Sequence, residues 1–130
     1  MRGLQLLWAG MVGWMVDTLL TMLIVGGGLA LAGITTIELL DFSRPLHILL
    51  GLALPIVMTG IGGGIAGWIA SEDATPAGAL VGGLGLISML AAGIDPEARH
   101  TLAFIIAQCI AVVVAALTAN GVAARRRSRI

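Results

Sequence analysis

One carboxylate stands where a carboxylate is costly. Asp17 is the only charged residue between Arg2 and Glu38, and its neighbours on both sides are apolar or small. A charged side chain near the centre of a bilayer costs a few kcal/mol on insertion scales and more by other estimates, so such a residue faces the interior of a helix bundle and marks a proton or ion site by default. Three readings follow. Asp17 is a proton- or cation-coupling group, or it is a neutral acid that hydrogen-bonds a neighbouring helix and fixes its register. In the third, the first helix begins later and Asp17 sits at the membrane surface. Helical spacing places Gly10, Gly13, Thr21 and Gly28 within about 40° of Asp17 around the axis, which makes one small and polar face.

Few other residues could join it. Gln108 is polar in the middle of the last apolar run and is the expected partner of Asp17. Interhelical bonds of this kind are worth roughly 0.6 kcal/mol on average. Thr18, Thr21 and Thr59 are able to bond their own helix backbone. A metal site would need His47 and His100 to converge with acid from Glu38, Asp41, Asp95 or Glu97, and two isolated histidines are weak evidence for that. They read as solvated interfacial residues, and no metal is expected. Cys109, the single cysteine, reads as a small buried hydrophobe. Gly62-x-Gly64-x-x-Gly67 matches the dinucleotide fingerprint in letters only, because that motif must follow a strand and open a helix. No Walker loop, nucleophile–base pair or intramembrane carboxylate pair is present in the sequence, so no enzyme and no cofactor are expected.

The elements that must position Asp17 follow from composition. Of 130 residues, 58% are apolar and 11% charged, and mean hydropathy is +1.06. Soluble domains carry about 25% charge. The sequence has no charge between Arg44 and Glu72, between Asp73 and Asp95, or between Arg99 and Arg125. Apolar runs of about 20 residues are candidate membrane spans. The fold expected is therefore all-α: a single polytopic membrane domain over 1–130, an up-down bundle of four transmembrane helices, with 125–130 as a basic cytoplasmic tail.

The helices are expected at about 5–33, 45–71, 76–93 and 96–124. The first apolar stretch is longer than the 7–15 residues of a signal-peptide core, so it reads as an uncleaved helix. Trp8 and Trp14 suit a headgroup-level belt. Pro45 and Pro76 read as first helical residues, preceded by Ser43 and by Thr75 as cap, and Asp95-Pro96-Glu97 repeats the signature. Pro55 lies inside helix 2, where it removes a donor and bends the helix.

Packing signals are plain. Gly60/Gly64, Gly63/Gly67 and Gly78/Gly82 are Gly-x-x-x-Gly pairs, which let membrane helices approach backbone to backbone. They read as helices 2 and 3 packed tightly on each other. Helix 4 carries Ala103, Ala107, Ala111, Ala115, Ala119 and Ala123, a ridge that drifts about 40° per step. It reads as a helix contact, within the chain or with a second copy. Arg2, Arg125, Arg126, Arg127 and Arg129 share one side of a four-span topology, against Arg44 and Arg99 on the other. The positive-inside rule then puts both termini in the cytoplasm, in a plasma (inner) membrane. The arginine tail also attracts anionic lipid, about 1 kcal/mol per residue near the surface. Without interleaved aromatics it is no nucleic-acid reader.

Val16-Asp17, Gly63-x-x-Ala66-Gly67, a short turn and Gly78-Ala79-Leu80-Val81-Gly82 together resemble small uncharacterised four-helix bacterial membrane proteins. That resemblance implies the fold and no activity. A weaker similarity is to the small multidrug resistance transporters, four helices with one carboxylate in helix 1 that takes protons or cationic drugs. It implies that role for Asp17 alone, since those proteins use Glu and line their site with aromatics, including Tyr, which this chain lacks. The leading expectation is a small membrane protein with a packing or assembly role, self-associating through a glycine or alanine face. The alternative is a proton-coupled small-molecule transporter centred on Asp17. The two differ in what surrounds Asp17: packed glycine backbone for the first, a polar cavity shared with Thr21 and Gln108 for the second.

Overall fold

The computed structural model describes residues 2–34, 40–91 and 101–128, and over these every regular element is helical. Among the described residues, four helices are long and apolar enough to cross a membrane. We label them α1 (Gly3–Leu31), α2 (Pro45–Ile69), α3 (Ala74–Ala91) and α4 (Thr101–Ser128).

Two of the rods carry a wide turn. In α1 the segment Thr21–Val25 is π-helical, and in α2 so is Leu49–Ala53. The second has a local cause. Pro55 has no N–H and its ring crowds the carbonyl four residues back, so the helix before it loosens rather than continuing as a regular ladder. Gly33 ends α1 at φ +80°, a left-handed conformation that suits glycine. Its N–H bonds Ala30 O at 3.0 Å and the N–H of Ile34 bonds Leu29 O at 2.9 Å, which completes a Schellman cap.

The α2–α3 connection differs from expectation. Ser71–Asp73 is a 3-10 turn that runs directly into α3 at Ala74, so Thr75 and Pro76 lie inside the first helical turn and not at its cap. Pro76 is tolerated there because the first four N–H groups of a helix have no intrahelical partner in any case. Pro45 is the first residue of α2, with Arg44 rather than Ser43 at the cap position. The expected starts and ends that fall on 92–100, including Asp95-Pro96-Glu97, lie outside the described residues.

α2 and α3 do pack on each other, through Ala66, Ala70, Ala77 and Val81, but their glycines do not face each other, which corrects the role the sequence reading gave them. A β-carbon built on Gly63 would stand under 3.0 Å from Ala115, and one on Gly67 under 3.0 Å from Ala119. Gly78 meets Ala115 and Ala119, and Gly82 meets Val112. Gly60 and Gly64 also turn to α4, toward Val114 and Thr118. Both glycine faces therefore pack on the alanine ridge of α4, where Ala111, Ala115, Ala119 and Ala123 are buried and Ala107 half-buried. Spacing explains the match: glycines four apart on α2 seat against alanines four apart on α4. α1 joins through Gly13 and Gly62, where a β-carbon on either would run into the other's carbonyl. Ala9, Ala66, Ala70, Ala77 and Val81 form the adjoining core, with Trp14 packed on it. Trp14 is thus a packing residue, unlike the exposed Trp8 and Trp68.

The basic segment is not a free tail. α4 continues to Ser128, and Arg126 and Arg127 donate to the carbonyls of Trp68 and Ser71, the latter at 2.7 Å. The Arg126 guanidinium also lies 5.3 Å from the centroid of the Trp68 ring. With Gln5, which donates to Ile69 O at 3.2 Å, they satisfy the carbonyls left over at the end of α2.

Candidate functional site

Asp17 is 7% exposed and stands midway along α1, fourteen residues from Gly3 and fourteen from Leu31. Its two carboxylate oxygens have different partners. Thr21 Oγ1, one turn along the same helix, donates to Oδ1 at 3.2 Å. Thr59 Oγ1, on α2, lies 3.1 Å from Oδ2. The Asp17–Thr59 pair ties α1 to α2 at mid-span, as Gln5 and Ile69 O do near the helix ends. It exists because glycine lets the helices close: a β-carbon on Gly62 would come 3.0 Å from Asp17 Cβ. A buried carboxyl needs hydrogen-bonding partners to offset its lost hydration, and here two hydroxyls provide them.

One side of the carboxyl faces space. A cleft of ≈ 250 Å³ is lined by Asp17, Thr21, Thr59, Ser88 and Gln108, with Trp14 and Met22 among its apolar walls. No basic residue is among those lining it. A second cavity of ≈ 210 Å³ adjoins it and is mostly apolar, with Ile56, Met89, Phe104 and Ala111 in its walls. Pro55 and Gln108 line both. Phe104 packs edge-on against Phe42, with ring centroids 5.9 Å apart.

Gln108 shares the cleft with Asp17 but is not its hydrogen-bond partner. Its Nε2 donates to Gly82 O at 3.2 Å, drawn to α3 because Gly85 leaves room: a β-carbon there would lie 2.7 Å from that nitrogen. Thr59, read in the sequence only as bonding its own helix, bonds both Pro55 O, at 3.0 Å, and Asp17. The signal that could have found it is its position: it is a polar residue four beyond a mid-helix proline, near the middle of α2.

His47 is buried rather than solvated. Its Nδ1 accepts the backbone N–H of Asp41 at 2.8 Å, which fixes the approach of the connector to α2. Asp41 in turn accepts from the Ser43 N–H and hydroxyl, at 3.1 and 2.7 Å, an Asx-type turn. Among the described residues no group of three or more His, Cys, Asp or Glu converges as for a metal ion, and His100, Glu38, Asp95 and Glu97 lie outside them. Cys109 is exposed on the outer surface of α4, not buried. Gly60, Gly63, Gly64, Gly67, Gly78 and Gly82 all serve contacts within the chain.

No protein-family model, curated protein or solved structure matches this chain.

Proposed function

We propose that the chain is a multi-pass membrane protein, an up-down bundle of four helices, that takes up and releases a proton at Asp17 in exchange for a small solute. The single observation that carries this is the cleft: Asp17, Thr21 and Gln108 line one cavity, together with Thr59 and Ser88. A carboxyl in such a place has three hydroxyls and an amide beside it in an otherwise apolar cleft, a setting that marks a proton or ion site.

Several features support the frame. The outward surface of the helices is apolar, with Leu19, Leu23, Leu31, Val113 and Leu117 among its exposed side chains. The pairing of Gly13 with Gly62, Gly63 with Ala115 and Gly82 with Val112 suits helices that alternate in direction. The clustered arginines support a reading in which the end marked by Gln5 and Arg126 faces the cytoplasm of a plasma (inner) membrane.

A packing role for Asp17 is the second reading, favoured by its contact with Gly62 and its bond to Thr59. Assembly through the glycine and alanine faces has less support, because those faces are filled within one chain. The test is an imposed pH gradient across proteoliposomes that hold a pool of small organic cations and neutral solutes. With wild type, a trapped pH dye reports solute-dependent decay of the gradient, and with Asp17→Asn it reports the rate of empty liposomes. Equal rates for the two proteins leave only the packing role.

A further inference from the structure

The cleft at Asp17 gathers oxygens whose protons are mostly committed. Thr21 donates to Asp17 Oδ1 at 3.2 Å, and Ser88 donates to Leu84 O at 2.8 Å. Thr59 has Asp17 Oδ2 and Pro55 O within reach of its one proton. Gln108 turns its Nε2 to Gly82 O, and its Oε1 remains an acceptor. A hydroxyl that has donated its proton keeps two lone pairs. These four side chains therefore add lone pairs to those of the carboxylate, and neither Arg nor His lines the cleft to meet them. Buried charges are paired or coordinate metals. An ionised Asp17 must take its counter-charge from outside the chain.

We infer that the solute exchanged for the proton is an alkali cation of sodium's size, held by Asp17, Thr21 and Thr59, with Ser88 and Gln108 completing its shell. Charge selects a monovalent ion: one carboxylate neutralises it, whereas a divalent ion would leave a surplus charge at mid-span, which is costly. Spacing selects the size. The two hydroxyl–carboxylate separations, 3.2 and 3.1 Å, are long for O–H···O bonds, which cluster at about 2.7–2.8 Å. An ion with contact distances of about 2.3–2.6 Å sets neighbouring oxygens of an octahedron about 3.3–3.7 Å apart. The observed spacing lies near the lower end of that range, and a larger ion would spread its ligands farther. The cleft, ≈ 250 Å³, holds such an ion with several waters at about 30 Å³ each. One positive charge replaces another as the proton leaves. The inference deepens the reading of the Asp17 cleft given above and rests on it, but binding of the ion needs neither transport nor a bilayer.

Ion titration in detergent micelles decides it. The full chain carries Trp8→Phe and Trp68→Phe, which leaves Trp14, in the cleft wall, as the single tryptophan. Chlorides of sodium, potassium and choline are titrated at constant ionic strength and one alkaline pH. Sodium is expected to change the Trp14 emission saturably and to raise the melting temperature. Potassium should need about tenfold more, and choline should do neither. Asp17→Asn should remove both responses, and Glu72→Gln, at an exposed acid of the α2–α3 turn, should keep them. Ser88→Ala and Gln108→Leu should each raise the sodium midpoint about tenfold, the loss of one contact to a charge. No response of emission or melting to sodium overturns the inference. So does an equal response to potassium or choline, or a sodium response that survives Asp17→Asn. Should Asp17→Asn fail to fold, unchanged midpoints in both Ser88→Ala and Gln108→Leu overturn it. Solute-dependent pH decay without a sodium response removes the ion and leaves the exchange. A sodium response without pH decay in sodium-loaded proteoliposomes leaves the ion site and removes the exchange.

Discussion

Thr59 Oγ1 stands 3.1 Å from Asp17 Oδ2 and 3.0 Å from the carbonyl of Pro55, and it has one proton for two acceptors. With Asp17 ionised, the hydroxyl must turn to the carboxylate. With Asp17 neutral, the acid proton donates to Thr59, and Thr59 donates to Pro55. The tie between α1 and α2 thus survives both states, but the hydroxyl reverses its role. Thr59→Val, which keeps the shape and removes the hydroxyl, leaves a buried oxygen short of a partner and should destabilise by about 1–3 kcal/mol. Thr59→Ser should stay close to wild type. Unfolding in detergent micelles, followed by circular dichroism, checks both.

Glycine contacts give a second prediction. Gly63→Ala and Gly67→Ala would drive a methyl into the backbone of α4, so each should cost about 1–3 kcal/mol. Gly27→Ala and Gly83→Ala meet nothing within 4 Å and remove a glycine from a helix, so they should be neutral or stabilising by about 0.5–1 kcal/mol. The detergent-resistant mass should be the same in all four. A change of mass in Gly63→Ala would mean that a second copy, and not α4, covers this face.

An asymmetry among three neighbouring arginines gives a third. Arg126 and Arg127 bond the end of α2 and the turn after it, whereas Arg125 is exposed. Arg126→Ala and Arg127→Ala should each cost about 0.3–1 kcal/mol and speed amide exchange over residues 69–73. Arg125→Ala should do neither. Exchange rates that rise equally in all three variants would show that net charge, not the bonds, holds the turn.

Gly85 gives a fourth. Gly85→Ala would place a methyl against the Gln108 amide, the far end of a flexible side chain, so the fold should persist while Gln108 leaves Gly82 O for the cleft. Under the exchange reading, Gly85→Ala and Gln108→Leu should both change the rate of solute-dependent pH decay without loss of folded protein. Wild-type rates in both would remove Gln108 from the site.

How much of this was readable beforehand varies by interaction. The four apolar rods are legible because lack of charge over twenty residues is a bulk property that no single contact alters. Asp17 is legible for the same reason in reverse. The destination of the glycines is not. Gly63 and Gly67 announce a close approach but carry no side chain to say to what, and only the matching step of Ala115 and Ala119 hints at α4. The bond of Thr59 to its own helix is legible, but its second partner, Asp17, is not, because that contact joins residues distant in sequence, and His47 reads as solvated because nothing in the sequence says that the Asp41 turn folds back onto it. Arg126 and Arg127 look like a tail in sequence because helix length past the last apolar residue depends on acceptors, and the carbonyls of Trp68 and Ser71 are supplied by a different helix.

The wide turns at Thr21–Val25 and Leu49–Ala53 have a consequence for anyone mapping this chain by systematic substitution. Each inserts a residue into the winding, so the angular register after it slips by about 100°. A tolerance profile along α1 or α2 should therefore show two wave trains out of step, with the jump at those five residues, where a single unbroken period would be drawn through the wrong faces.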